Sequence, residues 1–216
     1  IRYQSPVTAV VDEGHQVRVF TDQDEATYDA VVMACHADQA LKMLQTPSDH
    51  TAQTLKAFPY QRNDVVLHTW DKLLPRKRSA WASWNYHIPE QMPELACLTY
   101  NMNILQSIQA PVTFCVTLNY PKPIPEEHVI RRLVYHPSVF TTEGVQAQQE
   151  HERLNRSGNI VYCGAYWRYG FHEDGAWSAM QAVEHLLQRP RSLEVSPESV
   201  TSTEIPPTDS PVDSAA

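Results

Sequence analysis

The chain has 216 residues, 42% of them hydrophobic, and a formal net charge of −8. That is enough apolar material for one or two cores, and the acidic balance argues against a nucleic-acid partner. Four cysteines with no C-x-x-C spacing, and no signal peptide or membrane-length apolar run, point to reduced thiols in a cytoplasmic protein.

Residues 7–11 and 17–20 read as two strands around the turn Asp12–Glu13–Gly14–His15, a hairpin signal. Residues 28–34 (YDAVVMA) form a continuous apolar run suited to a strand buried on both faces. A short helix over 38–44 follows Cys35 and His36, and a second is expected over 49–57. Strands are then expected over 64–70, 81–87, 98–102, 112–118 and 129–135, with a helical stretch over 103–108. The basic cluster Arg76–Lys77–Arg78 reads as a solvated turn. Alternation puts Trp81, Ser83 and Asn85 on one face of their strand and Ala82, Trp84 and Tyr86 on the other. Such a largely antiparallel or mixed sheet, rich in Trp and Tyr, could floor a substrate pocket or simply form an aromatic core. Residues 142–154 read as a polar helix capped by Thr141 or Thr142.

The chain is organised around residues 158–187, GNIVYCGAYWRYGFHEDGAWSAMQAVEHLL. Ile160–Val161–Tyr162–Cys163 reads as a buried strand that ends at Gly164. An aromatic loop follows: Tyr166, Trp167, Tyr169, Gly170 and Phe171. Asp174 is an expected N-cap, and Ala176, Ala179, Met180, Val183, Leu186 and Leu187 fall on one helix face. A strand, a glycine turn and a helix start together present unpaired N–H groups and the positive end of a helix dipole. The last residues, 191–216, hold four prolines, six serines and no aromatic residue, and are expected to be disordered.

The string CGAYWRYGFHEDG resembles the closing FAD-contact segment of the flavin-containing amine oxidase superfamily. It looks closest to a bacterial branch of NAD/FAD-binding oxidoreductases, similar to the flavoprotein module fused ahead of some plant cyclopropane-fatty-acid synthases. The resemblance extends upstream through YDAVVMACHADQALKML, NDVVLHTWDKLLPRKRSAWASWNYH, LTYNMNILQ, VTLNYPKPI and YHPSVFT. Trp70 stands where an acid is expected in relatives.

The resemblance implies an α/β (α+β mixed) fold: part of an FAD-binding Rossmann-like domain plus a substrate domain with a mixed or antiparallel sheet. Residues 1–46 and 158–190 would supply the FAD-binding part, and 47–157 the substrate part. The implied FAD contacts are Ala34, Cys35, His36, Gly164, Ala165, Tyr166, Phe171, Asp174, Gly175, Ala176 and Trp177. For His36 a helix cap is the equal alternative. Gly164 and Ala165 would admit close backbone approach, and the Gly175–Ala176–Trp177 amides would face the negative edge of a reduced flavin. His172 is the candidate general base by position, beside Glu173, with a backbone-bonded loop residue as the plainer reading. A metal site at His172–Glu173–Asp174 is poor, because adjacent residues point apart.

The strand–G-x-G-x-x-G–helix fingerprint for the pyrophosphate is absent from the six glycines. Ile1 reads as lying inside a domain. The expected function is therefore that of a fragment: hydride transfer from an apolar, possibly fatty-acyl, substrate to FAD once an upstream segment or separate chain supplies the fingerprint. The alternatives are a lipid-binding module without redox chemistry, one chain of a split flavoprotein, and a degenerate fragment.

Overall fold

The computed structural model describes residues 1–88, 95–156 and 158–188, so the tail over 191–216 lies outside the described residues. Three strands open the fold, β1 (Val7–Asp12), β2 (Val17–Thr21) and β3 (Glu25–Tyr28), paired as an antiparallel meander. The expected hairpin is present, with Gly14 at φ 86° in its turn and its N–H donating to Asp12 Oδ1 at 2.9 Å. The predicted single strand over 28–34 is two. Tyr28 closes β3 opposite Val17, whereas β4 (Val31–Met33) pairs in parallel with β10 (Ile160–Tyr162) in a separate sheet. A change of sheet and of partner direction requires the break at Asp29–Ala30.

The helices α1 (Ala37–Met43) and α2 (Asp49–Lys56) follow, the second capped by Ser48, whose side chain accepts from Thr51 N–H. Then comes a five-stranded antiparallel sheet in the order β6-β7-β8-β5-β9. Its strands are β5 (Asn63–His68), β6 (Trp84–His87), β7 (Cys97–Asn101), β8 (Cys115–Leu118) and β9 (Val129–Tyr135), with α3 (Met102–Leu105) after β7. Two predicted strands shorten for a local reason. Asn85 bonds the backbone of Ala82 through both ends of its amide, which turns the chain before Trp84. Asn103 does the same to Val112 and Phe114.

The expected helix over 142–154 is α4 (Thr142–Ala147) and α5 (His151–Arg156) around a short 3₁₀ turn, with Thr141 as cap. β10 and the long helix α6 (His172–Leu187) complete the fold. Among the described residues no helix is long and apolar enough to cross a membrane.

The five-stranded sheet has an unusual division of its faces. The buried face is polar: Asn85, Thr99, Asn101, Thr117 and His68 are all buried. Asn85 donates to the Ala82 and Thr99 carbonyls and Asn101 accepts from Ile104 N–H, while His68, Thr117 and Thr99 join His87 in a chain of hydrogen bonds across four strands. His68 Nδ1 accepts from Trp70 N–H (3.1 Å), which leaves Nε2 to donate to Thr117 Oγ1 (2.7 Å). Thr117 and Thr99 hydroxyls meet at 2.8 Å, and Thr99 meets His87 Nε2 at 2.7 Å. Such a chain stabilises only while every member is paired.

Burial, reinforced by the nearby His128, depresses the His68 imidazole from its ordinary 6.5 to about 4, and burial lowers His87 as well. Below about 6.5 the unfolded chain takes up protons that the folded chain refuses, so stability falls as pH drops from about 6.5 toward about 4. The expected loss from His68 is up to about 3 kcal/mol. Urea melts across that window test it, and His68→Gln should flatten the acid limb.

Candidate cofactor site

The parallel pair β4/β10 sets the geometry. Val31 N–H donates to the Asn159 carbonyl at 2.9 Å, and Cys163 N–H to the Met33 carbonyl at 3.1 Å. Residues 159, 161 and 163 therefore face β4, and Tyr162 turns its backbone outward. That outer edge is closed. Asn155 Oδ1 accepts from Tyr162 N–H at 2.7 Å, and Asn155 Nδ2 donates to the Tyr162 carbonyl at 3.1 Å. His151 Nε2 lies 3.1 Å from the same carbonyl. A fully buried asparagine thus takes the place of another strand. On the other side, the N–H and C=O of Val32 point away from β10 and pair with no strand among the described residues. This small sheet can continue only beyond β4.

The pair ends with both chains at one level. Ala34, Cys35 and His36 follow β4; Gly164, Ala165 and Tyr166 follow β10. The structure therefore brings these two groups of sequence-predicted residues together at the carboxyl ends of parallel strands, where open α/β sheets bind ligands. His36 is the residue before α1 and stacks on Tyr60 (centroids 4.2 Å apart, planes 10° apart). Its backbone N–H donates to Gln39 Oε1 at 3.3 Å. Tyr60 Oη accepts from Ala37 N–H at 2.8 Å. Burial lifts the Tyr60 phenol to about 12 and raises the Cys35 thiol, helped by the nearby Cys163.

Tyr166 and Trp167 turn into the core against Phe58. Tyr166 is 4% exposed and Trp167 2%. Their Oη and Nε1 atoms are buried, and the Tyr166 hydroxyl interacts with the Trp167 side chain. Gly164 is required by this packing, since a Cβ there would lie 2.4 Å from the Tyr166 ring. Tyr169 and Phe171 of the same aromatic loop are exposed.

The helix start differs from expectation. α6 begins at His172, two residues before Asp174. Asp174 is its third residue, and Oδ2 accepts from Phe171 N–H (3.0 Å) and Tyr169 N–H (3.2 Å). Arg168 Nε lies 3.7 Å from the other carboxylate oxygen. This is the reaching-back half of a capping box. Gly175 N–H is already bonded to the Phe171 carbonyl at 3.2 Å. Ala176 and Trp177 lie deeper in the helix, where N–H groups bond four residues back. The role expected of the Gly175–Trp177 amides is thus corrected: the unpaired N–H groups of the first turn belong to His172 and Glu173. Trp177 is half-buried with its ring beneath Arg168 (4.9 Å). His172 and Glu173 are exposed.

Ser178 was not anticipated. Its Oγ accepts from Gly164 N–H (2.9 Å) and lies within donating distance of the Gly164 and Gly175 carbonyls (3.0 and 2.9 Å). It ties the glycine turn to the helix. The only signal in the sequence is a small polar residue on an otherwise apolar helix face. Gln148 ties the other flank, donating to the Tyr166 carbonyl at 2.9 Å and the Arg168 carbonyl at 2.6 Å.

A family model for flavin containing amine oxidoreductase matches residues 1–97. Solved structures match over most of the chain. The CLA-producing fatty acid isomerase from P. acnes has a TM-score of 0.54 at 12% identity and covers 85% of this chain and 47% of its own. A protein provisionally named a protoporphyrinogen oxidase, from Exiguobacterium sp. 255-15, has a TM-score of 0.60 at 12% identity, with 87% and 48% covered. Cyclohexylamine oxidase from Brevibacterium oxydans IH-35A has 0.52 at 12%, with 86% and 49% covered. The chain shares the fold of part of each of these three structures. It spans about half the length of the solved structures it matches. No curated protein matches the sequence. These comparisons establish a family match over residues 1–97 and a shared fold over most of the chain.

Proposed function

We propose that this chain carries the later half of an FAD site and the apolar substrate floor of a flavin-dependent oxidoreductase. The observation that carries this reading is the β4/β10 pair: its carboxyl ends bring Ala34–His36 beside Gly164–Tyr166, and its sheet is open for continuation only at β4. Residues 1–46 and 158–190 form the cofactor part and 47–157 the substrate part.

The residues present fit one end of FAD. The free first-turn N–H groups of α6, beside the glycine turn that Ser178 holds, suit the negative edge of the ring system. Phe171, Asp174, Gly175, Ala176 and Trp177 border that end. No glycine-rich turn is present for the pyrophosphate, so a segment carrying G-x-G-x-x-G must complete the site. FAD, when bound, supplies the hydride acceptor. This chain holds the ring's surroundings and an apolar, fatty-acyl substrate. His172 is the candidate general base. A flavin-free lipid-binding module is the second reading, favoured by the apolar open face of the five-stranded sheet.

The completing segment would add a strand at Val32 and cover an apolar row on α6. Met180 is 70% exposed and Leu187 77%, with Val183 between them. Changing Met180 and Leu187 to Gln is expected to leave this chain's stability within about 0.5 kcal/mol, but to weaken capture of the completing segment more than tenfold. Calorimetric titration of the two pieces measures both. Equal capture by the variant, or a captured pair that retains no FAD through purification, would count against the proposal.

A further inference from the structure

The five-stranded sheet is inverted relative to a usual half-exposed sheet. Its polar face is buried, and its apolar face, though it holds the buried Val65 and Leu98, is open at Trp84 and Tyr86. Exposed apolar patches of this kind mark binding surfaces. The registers define one row of residues across all five strands on the open face: Trp84 opposite Tyr100, Tyr100 opposite Val116, Val116 opposite Leu67, and Leu67 opposite Arg131. Directly opposed residues share a face, and Trp84 and Tyr100 meet edge to face at 5.5 Å. Trp84 is 52% exposed, the next three are half-buried, and Arg131 is exposed. Four strand spacings make the row about 19 Å long.

Four members of the row are apolar or aromatic and the last is a cation. Arg131 is the sole charged residue that these five strands place on the open face. It has no carboxylate within ion-pair distance among the described residues. Its neighbour Arg132 points to the opposite face and is paired with Glu126. A free cation at one end of an apolar track complements one ligand chemistry: a long chain ending in a carboxylate.

We infer that a long-chain carboxylic acid lies across the strands, its carboxylate on Arg131 and its chain over Leu67, Val116 and Tyr100 to Trp84. This rests on the reading of the sheet as a substrate floor and names the substrate class. Arg131 would donate to both carboxylate oxygens, a geometry that guanidinium provides.

The test is equilibrium binding of oleate, below its micellar concentration, to the chain without flavin, with oleyl alcohol as the uncharged comparison. Oleate is expected to bind at least tenfold more tightly than oleyl alcohol. Arg131→Leu should remove that preference, Arg131→Lys should keep most of it, and Arg132→Leu should leave it unchanged. Trp84→Ala should weaken both ligands equally. No oleate binding, or equal losses from Arg131→Leu and Arg132→Leu, would overturn the inference. So would a dimer that buries this face and excludes oleate, or a completed protein that holds FAD but no longer binds oleate. Oleate bound by a protein that rejects FAD would uphold the inference and defeat the flavin proposal alone.

Discussion

Replacing Asn155 with leucine is expected to lower the unfolding free energy by about 3–5 kcal/mol. The side chain is fully buried and bonds both the N–H and the C=O of Tyr162. Leucine is close to it in size, so little cavity forms. What is lost is the partner of two buried backbone groups, each of which costs about 1–3 kcal/mol when left unsatisfied. His151 remains near the carbonyl, which spares part of that half of the loss, and nothing else replaces the acceptor for Tyr162 N–H. Urea denaturation would measure the change. A loss below about 1 kcal/mol would mean that another group can close this edge. The same variant should also make β10 exchange its amide hydrogens faster, since a local opening at the edge no longer breaks side-chain bonds.

The second large effect concerns Gly164. Gly164→Ala puts a Cβ into the Tyr166 ring, so the variant must move the ring or the turn. In the completed protein, flavin retention is expected to fall at least tenfold. Packing alone could cause this, and a paired change separates the two causes. Trimming Tyr166 to leucine in the same chain removes the clash, and Tyr166→Leu alone supplies the reference for loss of the phenol, against which the double variant is compared. If the bare Cα serves only Tyr166, the double variant regains flavin. If the backbone must lie close to the ring system, the double variant stays flavin-poor while its melting temperature recovers. The second outcome is the expected one.

These two sites show where sequence patterns suffice and where they stop. The hairpin at Asp12–Gly14, the strand over 129–135 and the short strand at Ile160 were legible, because local turn chemistry and apolar runs define them. That Ala34–His36 and Gly164–Tyr166 each follow a strand was legible as well, whereas their part in an FAD site is implied by resemblance alone. Four features were not legible. The division of residues 28–34 between two sheets depends on partners more than a hundred residues apart. The helix start at His172 is set by Asp174 reaching back to the N-cap Phe171, a pattern that reads equally well as an N-cap three residues later, at Asp174 itself. The closing of β10 by Asn155 is a tertiary contact that no period encodes.

The inverted sheet is the most instructive case. Alternation along β6, β7, β8 and β5 separates the two faces correctly, but it does not say which one water reaches. Hydrophobicity would bury Trp84, Tyr86 and Tyr100. The structure buries Asn85, Thr99, Thr117 and His68 instead, and offsets the cost with a hydrogen-bond chain. A polar interior and an apolar exterior within one sheet suit a surface kept for a ligand better than one kept for solubility.

The most direct test of the central claim is titration of FAD into this chain before and after a G-x-G-x-x-G segment has been supplied, followed by the visible absorbance of bound flavin. The expected result is no tight binding by the chain alone and one flavin per assembled protein, lost when Ser178 is changed to leucine. An assembled, folded protein that stays colourless at saturating FAD would contradict it.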